Sequence, residues 1–344
     1  MNVGIGSFFA SSASRDVPID DAVPWAGTDT VYVQSGRQAL RLLSELLWSQ
    51  GYRRLILPGH LCASMIEPFE TRDWTVRFSP MTDRLRVDPG SYDALCLDRP
   101  DETVALIAEY FGRNVTEQTT AAVARWKDEG VAVIDDRTHN LFDRERSEAT
   151  YAFGSLRKLL PVGDGCFMQG LDDAPAFGQQ AVDPSRASWT AMDLKAAAGT
   201  QSGSLHETYR SAESEFAVAT EPAAMSSRSH EELRHLNFTA MSAARSSNFM
   251  TLLDRVQHLM VVNDDLDGGT PAFLVLRTPE TETLQGMLAE RGVFCPIHWP
   301  RPSQVPPERP WRDDLISVPI DHRYGHQEME YIGQMLDEVA RRAH

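Results

Sequence analysis

Between Val31 and Ile134 short apolar runs alternate with amphipathic stretches, and that alternation limits the chain to few architectures. Val31–Gln34, Leu55–Pro58, Thr75–Phe78, Val104–Tyr110 and Val131–Ile134 read as strands. Between the first two, Ser35-Gly36 opens a helix whose apolar residues Ala39, Leu40, Leu42, Leu43, Leu46 and Leu47 follow the 3.6-residue period. Leu61–Phe69 is a second predicted helix, and Thr116–Glu129 a third, ended by Gly130. Strands separated by helices of this length need crossover connections, which build a mainly parallel sheet. Tyr151–Ser155 and Cys166–Gln169 extend the sheet to a seven-stranded type.

The second half is patterned differently. Leu171–Ser185 is rich in Asp, Ala, Gln and Pro and reads as loop. Helical pieces are expected at Ala187–Ala198 and Leu205–Ala219, then a long helical region from His230 to Val262. Beyond Gly268-Gly269 the pattern resets: strand Ala272–Arg277, helix Glu280–Glu290, strands Cys295–Trp299 and Leu315–Ile320, helix Gln327–Arg341. The expected organisation is a large α/β domain over 1–240, with an N-terminal arm, and a smaller α+β domain over 241–344.

Charge excludes several functions. The 344 residues carry 49 acidic against 33 basic side chains, a formal charge of −16. Such a surface repels nucleic acid and anionic lipid unless a basic patch intervenes, and the sequence has none. No apolar run approaches the ~20 residues that cross a bilayer, and Met1–Arg15 lacks the features of a signal peptide. Cys62, Cys96, Cys166 and Cys295 are widely spaced, which argues against a zinc site or disulfide framework and fits a reducing cytoplasm. No metal is expected.

Only three of the basic residues are lysines: Lys127, Lys158 and Lys195. Any chemistry that needs a primary amine side chain has those three candidates. Lys127 falls near the end of an amphipathic helix and Lys195 beside an irregular segment, both surface settings. Lys158 lies between an apolar strand and the turn Gly163-Asp164-Gly165, where burial would lower its pKa and free its amine for nucleophilic attack.

Open α/β sheets bind ligands at the carboxyl ends of their strands. Three such ends carry polar residues here. Ser35-Gly36-Arg37-Gln38 begins a helix, so its amides are either simply capped or free to hold a phosphate. Asp135-Asp136, followed by Thr138 and His139, offers a carboxylate for a helix cap, a cation or a protonated ring nitrogen. Ser155-Leu156-Arg157-Lys158 supplies the amine. A phosphate cradle, a carboxylate and a lysine in that order are the parts a pyridoxal phosphate site requires.

With those motifs in place, the sequence resembles the DegT-type aminotransferases, pyridoxal-phosphate enzymes of the aspartate aminotransferase fold (fold type I). The resemblance runs through Ser35-Gly36-Arg37-Gln38-Ala39-Leu40, Val133-Ile134-Asp135-Asp136, Ser155-Leu156-Arg157-Lys158 with Gly163-Asp164-Gly165, Arg291-Gly292-Val293 and Val318-Pro319-Ile320. It implies that Lys158 forms the Schiff base and moves the proton, and that Asp136 pairs with the pyridine nitrogen. His139 would lie beside the phenolic oxygen. Gly36, Arg37 and Gln38 would give backbone amides to the phosphate, and Ser155 a hydroxyl.

Where relatives place an aromatic ring over the cofactor, this chain has Pro58-Gly59-His60-Leu61-Cys62, so stacking falls to His60 or Cys62 or is lost. The neighbouring-subunit Asn-x-Arg motif is absent. Ser226-Ser227-Arg228-Ser229 either takes its place, with Arg228 on substrate, or is a polar loop. His298 either touches substrate or is structural beside Trp299.

The activity implied is transfer of an amino group from an amino acid donor to a small carbonyl acceptor, such as a keto sugar, by a homodimer whose sites lie at the subunit interface. The same cofactor also serves lyases, dehydratases and bond-forming enzymes, which form the alternative.

Overall fold

The computed structural model describes residues 4–11, 22–173, 175, 177, 182–198 and 203–342. Seven strands build the main sheet: β2 (Val31–Val33), β3 (Arg54–Pro58), β4 (Thr75–Ser79), β5 (Thr103–Ile107), β6 (Ala132–Asp136), β7 (Tyr151–Ser155) and β8 (Cys166–Gln169). Their spatial order is β2-β8-β7-β6-β5-β3-β4. β8 pairs antiparallel with both β2 and β7, and the remaining pairs are parallel.

Both faces of the sheet are covered, as a mainly parallel sheet requires. Helix α1 (Gly36–Ser49) buries Leu40, Leu43 and Leu47 on one face, against Leu55, Leu57, Leu106, Ile134 and Phe153. Each such buried leucine contributes about 1.5–3 kcal/mol. On the other face α2 (Pro89–Cys96) and α3 (Glu117–Asp128) bury Tyr92, Val123 and Trp126 against Ile56, Ala105, Ile107 and Val133. Alternate strand residues therefore serve opposite cores, and Ile134 and Asp136 share the α1 face while Val133 and Asp135 point away.

A second core is built from α7 (Phe238–Arg255), β9 (Phe273–Arg277), α8 (Thr281–Ala289), β11 (Leu315–Pro319) and α9 (His326–Arg342). β9 and β11 pair antiparallel. The N-terminal segment adds β1 (Ile5–Gly6), which pairs in parallel with β10 (Val293–Phe294). Along the chain, α4 (Pro184–Ala198), α5 (Gly203–Val218) and α6 (Ser227–Leu233) come between β8 and α7. Among the described residues no helix is long and apolar enough to cross a membrane.

Several sequence expectations need correction. Leu61–Phe69 is no α-helix but two short 3-10 turns, Ala63–Met65 and Glu67–Phe69. Pro68 lacks an N–H and disfavours helical geometry at Glu67. The region His230–Val262 is not one helix: Asn237 stops it by capping α7, its side-chain oxygen accepting from the Ala240 N–H at 2.7 Å. Cys295–Trp299 is not a strand, because pairing takes place at Val293–Phe294, and Pro296 and Pro300 have no N–H to give a ladder. Helix α2 was missed, although Asp88 caps it and Pro89 starts it. Part of the expected 171–185 loop (174, 176 and 178–181), and residues 1–3 and 12–21 of the N-terminal arm, lie outside the described residues.

Candidate active site

The site is assembled where β2, β6 and β7 end on the α1 face. Ser35 caps α1, its hydroxyl accepting from the Gln38 N–H at 3.3 Å. That bond uses the Gln38 amide, leaving the Gly36 and Arg37 amides as the outward donors of the first turn. A Cβ at Gly36 would sit 3.4 Å from Ser155 Cβ, so the helix start and the end of β7 are in contact. The two side chains that follow Gly36 are otherwise engaged. Arg37 donates Nε to Glu67 at 2.9 Å and Nη1 to the Phe216 carbonyl at 3.2 Å. Buried Gln38 bonds the Ala219 carbonyl and the Ala223 N–H, both at 3.1 Å, and so anchors the chain that leaves α5.

The two aspartates divide as the sheet alternation requires. Asp135 is 3% exposed and accepts from Ser147 Oγ at 2.7 Å on the far face. Asp136 accepts from the Thr138 N–H at 2.9 Å, while Thr138 Oγ1 accepts from the Ser155 N–H at 3.1 Å. Thr138 thus ties the carboxylate to the end of β7. Burial pushes the Asp136 carboxyl up to about 6, the Thr138 bonds opposing it. Among the described residues no basic side chain forms an ion pair with Asp136. Asp136 is half-buried at the end of β6, and burial there favours its protonated form unless a cation pairs with it.

Lys158 ends a short 3-10 turn, Leu156–Lys158, and its side chain is 47% exposed. Its pKa is lowered, as expected, but the leading cause differs from the expected one. The Arg157 cation acts most strongly and burial second, while Glu213 and Cys62 act in the opposite direction. Glu213 Oε2 lies 4.0 Å from Lys158 Nζ. Lys127 donates to the Glu148 carbonyl at 2.6 Å, far from the strand ends. Lys195 is less exposed than its sequence setting suggested: it donates to the Phe8 carbonyl and lies over the Phe8 ring at 4.6 Å. Burial lowers its pKa to about 8.

His139 and the histidines around it are packed. Phe111 N–H donates to His139 Nδ1 at 3.3 Å, and the ring stacks on Trp299 with centroids 5.6 Å apart. Burial, then the Lys158 charge, lowers His139 to about 3, so the ring is neutral. His60 is 2% exposed, 4.6 Å from Trp311, and its Nε2 bonds the His298 carbonyl at 3.0 Å. The His60 ring also neighbours Trp299, with centroids 5.7 Å apart. The Cys62 thiol is 2.9 Å from Ser64 Oγ, and both Asp136 and Lys158 act on its charge. His298 Nδ1 meets Ser317 Oγ at 2.8 Å, fixing that ring to β11.

Arg228 does not reach the strand ends with a free guanidinium. It pairs bidentately with Asp193 at 2.6 and 2.8 Å and lies 4.0 Å over Trp189. Its serine neighbours are turned to a buried carboxylate instead. Ser226 N–H and Oγ donate to Asp164 at 2.8 and 2.5 Å, and Ser229 Oγ donates to the same group. Asp164 thereby ties the glycine turn after Lys158 to the start of α6. Sequence reasoning missed Glu213 and Tyr209 of α5. Its only possible signal was their four-residue spacing on a helix in a segment without other pattern.

No model of a known protein family matches the sequence, and no curated protein matches it. Solved structures do. The aminotransferase TlmJ from Streptoalloteichus hindustanus superposes with a TM-score of 0.66 at 14% identity, over 92% of this chain and 87% of that one. The putative sugar aminotransferase Spr1654 from Streptococcus pneumoniae, in its PLP form, gives 0.63 at 12% identity over 91% and 87%. The sugar aminotransferase CalS13 from Micromonospora echinospora gives 0.61 at 14% over 90% and 87%. The chain therefore has the α/β fold of the sugar aminotransferases, with their mainly parallel sheet, over nearly its whole described length.

Proposed function

We propose that this protein is a pyridoxal-phosphate-dependent aminotransferase that moves an amino group from an amino acid donor to a small carbonyl acceptor of the keto-sugar kind. One observation carries the reading: the first turn of α1 touches Ser155, Thr138 ties the Asp136 carboxylate to the end of β7, and Asp136, Lys158 and Arg37 all act on the Cys62 thiol. That donor set suits the cofactor. Gly36 and Arg37 amides with Ser155 would hold its phosphate, Asp136 its ring nitrogen, and Lys158 its aldehyde carbon. Bound there, pyridoxal phosphate supplies an electron sink for the carbon that carries the transferred nitrogen. Lys158 Nζ is the group that takes a proton from the substrate α-carbon and returns it. Neutral His139 offers Nε2–H as a donor, because Nδ1 accepts from Phe111.

The large unit over 1–240 and the small unit over 241–344 belong to the same proposal, with α7 running across their boundary. So does a homodimer with shared sites, which sedimentation would report as twice 38.4 kDa. A reducing cytoplasm belongs to the same proposal, on the wide spacing of the four cysteines in the sequence.

Borohydride reduction after adding the cofactor, followed by peptide mapping, should mark Lys158. Mark on Lys127 or Lys195 removes the assignment. With cofactor bound, an amino donor alone should release one equivalent of keto acid and stop until an acceptor is added. Steady turnover without an acceptor would replace transamination by a lyase or bond-forming reaction. Glutamate and glutamine are the donors to test first.

A further inference from the structure

Helix α5 brings three side chains to the segment that carries Lys158. Arg157 donates to both carboxylate oxygens of Glu213, Nη1 to Oε1 and Nη2 to Oε2 at 3.1 Å. The same Oε2 is 4.0 Å from Lys158 Nζ. Tyr209, one turn earlier, hydrogen-bonds the Glu213 carboxylate and stacks on Phe8 with centroids 4.3 Å apart and planes 4° from parallel. Phe216, one turn later, lies 4.3 Å below the Arg157 guanidinium. Spacings of four and three residues put Tyr209, Glu213 and Phe216 on one face of α5. Glu213 is thus braced by Tyr209, by Phe8 behind it and by Arg157 in front.

We propose that Glu213 is a positioning residue for Lys158: its carboxylate, shared between Arg157 and Lys158 and braced by Tyr209, sets how readily the Lys158 amine gives up its proton. The inference rests on reading Lys158 as the amine that carries the cofactor. Arginine stays protonated throughout the ordinary pH range, so Arg157 is a permanent cation beside Lys158. Alone it would shift the lysine amine toward its neutral form. Glu213 alone would shift it toward ammonium. Sharing one carboxylate between two cations places the amine between these limits, which suits a group that must both attack and carry a proton.

The other groups facing Lys158 are few. Cys62 after β3 acts to raise its pKa and Arg37 of α1 to lower it. Asp136 stands at the end of β6. His139 and His298 are held neutral by burial and add no charge at neutral pH.

The three lysines make the test direct. Reductive methylation of the full chain with carbon-13 formaldehyde, without added cofactor, labels Lys127, Lys158 and Lys195, and NMR titration reads each amine separately. Glu213→Gln keeps the size and removes the charge. The Lys158 midpoint should fall by at least about half a unit, roughly a threefold gain in neutral amine at a given pH, with Lys127 unmoved. Arg157→Gln should shift Lys158 upward by at least as much, and Glu213→Asp should return part of the loss. Unmoved Lys158 midpoints in Glu213→Gln and Arg157→Gln overturn the proposal. Should Glu213→Gln fail to fold, Arg157→Gln decides alone, and a midpoint that stays or falls overturns it. Cofactor mapped to another lysine would remove the functional reading while leaving these midpoints intact. Unmoved midpoints with cofactor on Lys158 would remove this inference alone.

Discussion

At the scale of single residues, two adjacent aspartates differ because a strand turns successive side chains to opposite faces. Asp136 faces the α1 side without a cation, and Asp135 faces the other core with Ser147 as partner. Asp136→Ala should leave the fold intact and weaken cofactor binding, read by titrating the visible absorbance of added pyridoxal phosphate. Asp135→Ala should leave that titration unchanged and lower stability by about 1–3 kcal/mol, since it strands a partly buried hydroxyl. Equal loss of cofactor binding in both variants would contradict the register. The histidines make a second residue-scale case. Burial lowers His139 to about 3 and His60 to about 4, against an unfolded value near 6.5. Below 6.5 the unfolded chain binds protons that the folded chain refuses, so stability is full above 6.5 and is lost as pH falls toward about 4 and 3. His139→Gln should therefore flatten the fall in urea midpoint between pH 7 and 5, and an unchanged slope would show that His139 titrates freely.

At the scale of elements, capping chemistry decides what packing alone leaves open. Asp164 is fully buried and accepts two bonds from Ser226 and one from Ser229, so it fixes where α6 begins relative to the turn after Lys158. Asp164→Ala should cost about 1–3 kcal/mol in chemical denaturation, because buried donors lose their acceptor. Arg228→Ala, which breaks an exposed pair with Asp193, should cost no more than about 1 kcal/mol. It should also leave the donor KM unchanged, whereas a large rise in KM would restore Arg228 to the substrate site. The parallel-sheet strands, α1 and α3 were legible because their periods are long and their caps ordinary. The 61–69 and 230–262 segments were not. Apolar spacing there is helical, but Pro68 and Asn237 interrupt the hydrogen-bond ladder at single residues.

Across the whole molecule, the large sheet is tied to the second core through the chain after β5. Ala272 N–H donates to the Phe111 carbonyl at 3.0 Å, and Asn114 N–H to the Leu266 carbonyl at 3.3 Å. Arg86 and Arg113, both buried, pair with Asp265 at 3.1 and 3.2 Å. Gly112 makes the approach possible: its φ is +93°, and a Cβ there would fall 2.0 Å from the Thr270 carbonyl oxygen. Gly112→Ala should lower stability by at least about 1–3 kcal/mol, since both the backbone conformation and the contact oppose a side chain. A thermal midpoint equal to that of the parent chain would mean that the two cores are not held together at this point.

The sequence by itself determined the alternation of strands and helices, the order of the strand ends and the three residue types gathered there. These depend on local period and on residue chemistry, and both are written along the chain. Only the tertiary structure decided that α5, from a segment with no readable period, sets Glu213 against Arg157 and Lys158. It alone showed that Arg228 is held by Asp193 and Trp189, and that His60 is closed into an aromatic cluster with Trp311. Those pairings join residues 35 to 251 positions apart. Contacts at such separation follow from how packed layers bring distant segments together, which no local pattern of side chains records.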